Sequence, residues 1–276
     1  MTPDSGAPTV KLSRRELVRG LAAGSIVAWS GAAVGGCATN EALGRSQLLL
    51  VSDEQLQQMA AQSWTQALQQ TPQTSDASLR RRVSAVGDRI VQAADAQFPS
   101  QNLTQNDWEF AVFDDSTVNA WVMPGGKVGF HTALLDIMEN DDQIAVVMGH
   151  EAGHVVGRHA AERYSQQLAA QGGLAIANVA LEVGDVENSG LIAGILGAGV
   201  TFGVILPYSR QHEYEADRLG ADFMVGARYQ AEEAVRFWDA MTQASTAKPM
   251  EFMSTHPSDA NRIAAMQSYI STQGYV

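Results

Sequence analysis

The chain is 276 residues long, 45% hydrophobic and 17% charged, with a formal net charge of −12 at pH 7. That is enough chain, and enough apolar content, for one well-buried catalytic domain. So acidic a balance argues against holding nucleic acid or anionic lipid by electrostatics, and the single cysteine, Cys37, excludes an intrachain disulfide.

In chain order, the N-terminus reads as an address rather than part of a fold. Ser13-Arg14-Arg15-Glu16-Leu17 is similar to a twin-arginine export signal, and Gly20 to Gly36 is mildly apolar and rich in Gly and Ala. It ends at Val34-Gly35-Gly36-Cys37, similar to a bacterial lipobox. Residues 1–36 are therefore expected to be a lipoprotein signal peptide, and 37–50 a lipidated N-terminus and tether. The alternative is a permanent span with a chance cysteine, but so short and glycine-rich a stretch spans poorly. Cleavage before Cys37 removes Lys11, Arg14, Arg15 and Arg19 but only Asp4 and Glu16, so the remainder is more acidic still. Membrane attachment is then expected through lipid on Cys37, not through a basic patch.

Residues 51–276 read as a single domain. Apolar residues recur at helical spacing from Asp53 to about Gln70 and from Ser75 to about Gln97, with Pro72 between them. Asp107 to Phe113 alternates like a strand. Val118 to Met123 and Lys127 to His131 read as a hairpin around Pro124-Gly125-Gly126. A helix over 132–139 leads into a long one over 142–170, with Asp141 and Asp142 where the helix dipole favours acid. The polar run 182–189 is a candidate lid, and the apolar run 190–206 a buried helix packed on the preceding long one. Helices over 231–244 and 259–272 complete the chain. The expected class is mainly α with a small antiparallel β-sheet.

The long helix carries His150-Glu151-Ala152-Gly153-His154, an H-E-x-x-H run. Two histidines four apart share one helix face, so both imidazoles reach one ion. Glu151 is rotated by about 100° from His150, beside the metal, where a carboxylate can take a proton from water. His159, nine residues beyond His150, falls about 180° around a continuous helix and reads as structural.

Such a centre needs a third protein ligand and an open position for water. Some sixty residues on, Glu213 and Asp217 share a face by their four-residue spacing, while Glu215 points about 200° from Glu213. Alone, such a run reads as a solvated acidic face. Paired with the upstream motif, Glu213 is assigned to the metal and Asp217 to the outer N–H of a ligand histidine. Glu215 is expected to face solvent or a local basic partner.

With the H-E-x-G-H helix and Ser209-Arg210…Glu213…Glu215-Ala216-Asp217 in place, the chain resembles the gluzincin metallopeptidases of the CAAX prenyl protease and HtpX type. The likeness extends to Asn119-Ala120…Pro124-Gly125-Gly126 and to Ser254-Thr255-His256-Pro257 with Arg262-Ile263. The soluble, exported branch, periplasmic lipoprotein proteases that police outer-membrane protein assembly, is the most similar. The resemblance implies a zincin-like domain with one Zn2+ on His150, His154 and Glu213, and Glu151 as general base. It places Ala120, Trp121, Val122 and Met123 in an edge strand that pairs with extended substrate. His256 becomes the leading donor to the developing oxyanion, or a group that swings onto the zinc and shuts it; loop anchoring is the simpler role. Tyr208, Arg210 and Arg262 are weaker candidates, Arg210 also as a prop for the helix that presents Glu213.

Together these features imply a lipid-anchored, periplasmic zinc endopeptidase, on the outer membrane, cutting misfolded or stalled envelope proteins and touching the outer-membrane assembly machinery. The rival from another class is an assembly chaperone whose zinc site is structural or self-inhibited.

Overall fold

The computed structural model describes residues 37–169, 208–247 and 250–275. The expected signal segment over 1–36, the lid over 182–189 and the apolar helix over 190–206 lie outside the described residues.

In place of the tether expected over 37–50, strands β1 (Cys37–Asn40) and β2 (Arg45–Leu48) pair antiparallel as a hairpin. Asn40 Oδ1 accepts the backbone N–H groups of Ala42 and Leu43, at 3.0 and 3.3 Å, which closes the turn. Leu49 and Val51, just beyond, are buried with Leu56 and Ala161. In the hairpin Asn40 and Gln47 are buried through their amide hydrogen bonds, and Ala38, Ala42 and Leu43 pack partly buried against the apolar clusters.

Helices α1 (Asp53–Gln70) and α2 (Ala77–Gln97) start where their caps are written. Ser52 and Gln55 form a reciprocal capping box, and Asp76 accepts from the N–H groups of Ser78 and Leu79. The apolar stripe of α2, including Val83, Val86 and Ile90, faces the main core. Three strands come next: β3 (Glu109–Phe113), β4 (Ala120–Met123) and β5 (Lys127–His131), in the spatial order β3-β5-β4. β4 pairs antiparallel with β5, as the hairpin reading requires, but β3 joins β5 in parallel. The sheet is therefore mixed, and β4 is an edge. Gly125 and Gly126 turn the hairpin with φ of 83° and 80°, values open to glycine without strain.

After the short helix α3 (Thr132–Leu135), α4 (Asp141–Val156) begins at Asn140, whose side chain caps Gln143 N–H, with Asp141 and Asp142 in its first turn. The single helix expected over 142–170 is broken. Arg158 takes a left-handed φ of 52°, and the chain resumes as helix α5 over residues 159–169. Two orphan carbonyls at the break are satisfied from the hairpin: Asn40 Nδ2 donates to Val156 O at 3.0 Å and Gln47 Nε2 to Gly157 O at 2.7 Å. That capping comes from more than a hundred residues upstream, beyond the reach of local periodicity.

Helix α6 (Arg210–Gly226) is capped by Ser209, and lies so close to α4 that glycines are required between them. A Cβ on Gly153 would fall 2.6 Å from Ala216 O, and one on Gly220 2.9 Å from Gly149 C. Helices α7 (Glu232–Ala247), α8 (Glu251–Thr255) and α9 (Ala260–Gln273) close the far side, packing Phe237, Trp238, Met241 and Phe252 into the core. Among the described residues no helix is long and apolar enough to cross a membrane.

Candidate metal centre

The contact between α4 and α6 decides where the polar side chains meet. Gly149 and Gly153 on one helix, against Gly220 and Ala216 on the other, bring the two backbones together. His150 and His154 then project beside Glu213 and Asp217, all of them buried.

Ligand atoms of His150, His154, Glu213 and His256 all lie within 4.8 Å of one another. His150 Nε2 is 3.1 Å from His154 Nε2 and 3.4 Å from Glu213 Oε2, and His154 Nε2 is 3.4 Å from Glu213 Oε1. A tetrahedral ion with bonds of about 2.0–2.1 Å separates its ligands by about 3.3 Å. The two imidazole nitrogens therefore stand near the edge length of such a site from each other, and each from one oxygen of the Glu213 carboxylate. Burial without partners points the same way: Glu213 Oε2 and Glu151 Oε1 lack hydrogen bonds. The donor set fits a divalent metal ion.

Its outer support is equally specific. His150 Nδ1 lies 2.9 Å from Asp217 Oδ1, so the ring donates outward and its Nε2 would be the atom that holds a metal ion. Asp217 is held in turn by Arg262, which donates from Nε to Oδ2 at 2.6 Å and from Nη2 to Oδ1 at 2.8 Å. The guanidinium of Arg262 lies 4.1 Å over the Trp238 ring and also donates to Pro257 O at 3.1 Å. One residue thus braces both the carboxylate behind His150 and the loop that carries His256. Its Nη1 reaches 2.6 Å from Glu213 Oε2, without the alignment of a hydrogen bond.

Glu151 is buried beside the cluster, with the backbone N–H of Val122 in β4 donating to its carboxylate. Burial pushes its carboxyl up, an effect that nearby His256 and His150 oppose. His256 bridges base and ligands: Nε2 is 3.4 Å from Glu151 Oε1, while Nδ1 is 3.1 Å from His150 Nε2 and 3.2 Å from Glu213 Oε1. The ring therefore stands in the ligand cluster itself, nearer than an anchoring loop residue needs to be.

The remaining sequence candidates fall into place unevenly. Tyr208 stacks on His154 with ring centroids 3.9 Å apart, and Arg163 covers its ring at 4.2 Å. Arg210 is exposed, 3.8 Å from Asp259, and does not touch the centre. Ala120 is buried, and Trp121 stacks on Phe113 at 6.0 Å and meets Trp64 edge-on at 5.7 Å. The strand walls a cleft of about 550 Å³ that also reaches Met59, Glu151, Tyr208 and His256. Cys37 opens β1, with its backbone opposite Leu48.

Sequence reasoning missed one participant. Because α4 breaks at Gly157-Arg158, His159 does not lie on the far side of a continuous helix. It comes round to meet His154, Nδ1 to Nδ1 at 2.9 Å. The signal available was Gly157 itself, a helix-stopping residue two positions before it. Glu215, expected to face solvent or a local basic partner, pairs instead with Arg45, 170 residues upstream, at 2.7 Å.

Burial pulls His150 down, but Glu213 and Asp217 more than offset it and hold the metal-free imidazole at about 9. Glu213 is held well below the usual carboxylate range despite its burial, chiefly by His256, Arg262 and His150. A metal must therefore displace the His150 proton. Metal affinity should rise about tenfold per pH unit from pH 6 to 8.5, measured by chelator competition; a flat profile across that range would contradict this electrostatic account.

Comparison with known proteins bears on the same residues. Residues 77–270 match the model of Peptidase family M48. The chain is 34% identical over 192 residues to mitochondrial metalloendopeptidase OMA1 of Saccharomyces cerevisiae, covering 66% of this chain and 53% of that protein. Its likeness to OMA1 of Schizosaccharomyces pombe is 34% over 165 residues, 59% of this chain and 47% of the relative. To the β-barrel assembly-enhancing protease of Escherichia coli it is 26% identical over 203 residues, 70% of this chain and 39% of the relative. The chain thus spans about half or less of the length of these relatives. It belongs to Peptidase family M48.

Proposed function

We propose that this member of Peptidase family M48 is a zinc endopeptidase, exported and lipid-anchored at Cys37, that cleaves misfolded or stalled proteins of the bacterial envelope. The observation that carries the catalytic part is the buried Glu151 carboxylate, one oxygen of which has no hydrogen bond among the described residues, beside the converging ligand atoms of His150, His154, Glu213 and His256. Two imidazoles and a carboxylate are a zinc donor set. When bound, zinc supplies a Lewis acid that acidifies water and polarises the scissile carbonyl. Glu151 accepts the proton of the attacking water and passes it to the leaving amine. Burial raises its affinity for protons, the direction that such an exchange requires.

β4 is the terminal strand of its sheet among the described residues, and its Val122 N–H already reaches the base. An extended substrate segment adding to that edge is recognised mainly by main-chain hydrogen bonds, so unfolded chains of varied sequence are suitable substrates. His256 has two roles open to it in this geometry. With Nδ1 among the ligands it closes the position that water needs, and swung out it can donate to the oxyanion. The first role also accommodates the chaperone reading, in which the centre stays shut.

Support for the envelope setting comes from the sequence at Arg14-Arg15 and at Val34 to Cys37, together with the name of the bacterial relative. Contact with the outer-membrane assembly machinery belongs to the same reading. The mitochondrial relatives are the more similar in sequence, so the setting needs its own test.

Glu151→Gln should keep its metal and its helix content while losing cleavage of an unfolded outer-membrane barrel protein by at least about 100-fold. Cleavage retained by that variant would contradict the mechanism; loss of cleavage with wild-type barrel assembly in cells would favour the chaperone. For the anchor, labelled palmitate fed to cells should enter the wild-type chain and not Cys37→Ala. Equal labelling of the two, or none in either, would rule out lipidation at Cys37.

A further inference from the structure

His150 leans on a carboxylate, but His154 does not. Its Nε2 faces the ligand cluster, so its proton sits on Nδ1 and is donated outward. The atom it meets is His159 Nδ1 at 2.9 Å, which is thereby the acceptor. His159 Nε2 then carries a hydrogen, and its partner is Glu215 Oε2 at 3.1 Å. Glu215 accepts in turn from Arg45 Nε and Nη2, both at 2.7 Å. The same guanidinium donates to Glu162 from Nη1 and Nη2, both at 2.8 Å. Donors therefore converge on Glu215 from both sides, Arg45 from β2 of the N-terminal hairpin and His159, with His154 behind it, from the metal centre.

The surroundings leave this network little slack. His159 is fully buried and stacked on His212 with centroids 4.5 Å apart. Glu162 is buried and also accepts from Gln47 at 2.7 Å and faces His212 Nε2 at 3.2 Å. Arg45 is the cation that both carboxylates share.

We propose that Arg45 is a positioning residue for the metal centre: by clamping Glu215 and Glu162 it fixes the tautomer and plane of His159, and through His159 the ring of His154. The inference rests on His154 being a metal ligand. Without the clamp the two carboxylates face each other uncompensated and Glu215 is driven away. His159 then loses the acceptor that holds its hydrogen on Nε2. With that hydrogen on Nδ1 it presents a donor to a donor, and His154 must turn. A lysine supplies the charge but not the planar fork that spans two carboxylates, so it restores only part of the effect.

The test uses the full chain with Arg45→Ala, Arg45→Lys and, as a comparison, Arg82→Ala, whose exposed partner Asp141 lies outside this network of hydrogen bonds. Zinc affinity is measured by chelator competition, the ligand field by the visible spectrum of the Co2+-substituted protein, and folding by circular dichroism. Arg45→Ala should weaken zinc binding about tenfold or more and shift the cobalt bands at unchanged helix content. Arg45→Lys should fall between, and Arg82→Ala should match wild type. Wild-type affinity and cobalt spectrum in Arg45→Ala overturn the proposal, as do losses no greater than those of Arg82→Ala. Should the alanine variant not fold, an unperturbed cobalt spectrum in Arg45→Lys does the same. A wild-type chain that takes up neither ion overturns the zinc site itself, which is a separate failure.

Discussion

Everything in the centre depends on how closely α4 and α6 approach. Side chains at Gly149, Gly153 or Gly220 would meet the opposing backbone below 3.0 Å, so the helices touch through main chain where most pairs are held apart by side chains. The helical repeat does the rest. Each glycine of α4 stands one residue before a ligand histidine, so the spacing that brings the backbones together also sets His150 and His154 against Glu213 and Asp217.

Such proximity buries many ionisable groups at once, which is costly unless each is paired. Arg262 meets much of that cost: its fork neutralises Asp217 and approaches Glu213, and its face lies on Trp238. Asp217 is accordingly held low in spite of complete burial, by Arg262 and then His150. Glu213 Oε2 and Glu151 Oε1 accept no hydrogen bond among the described residues; the first has Arg262 and His150 as ion-pair neighbours and the second His256. They are the two oxygens that binding and hydrolysis use. Local stability is given up where the chemistry is.

Much of this was legible in the sequence because it obeys short-range rules. Two four-residue spacings placed His150 with His154 and Glu213 with Asp217, and a Pro-Gly-Gly turn placed the hairpin that makes β4 an edge. The parts that were not legible depend on distant partners. Asn40 and Gln47 look like linker residues, yet they cap the end of α4 and so permit the break that turns His159 toward His154. The parallel pairing of β3 with β5 follows from the crossover between β3 and β4, which no alternation pattern encodes. Arg262 ranked low as a catalytic candidate because its work is to brace Asp217, a role seen only once the helices are packed.

The central claim is that backbone contact between the two helices, and not the ligands alone, makes the metal site. It is tested most directly by zinc affinity in Gly220→Ala, which leaves each ligand and supporting side chain in place. The account predicts a chain that still folds but binds zinc at least about tenfold more weakly, since the added methyl group forces apart packing worth about 1–3 kcal/mol. Wild-type zinc affinity in that variant would show that the ligands find one another without the glycine contact, and would contradict the account.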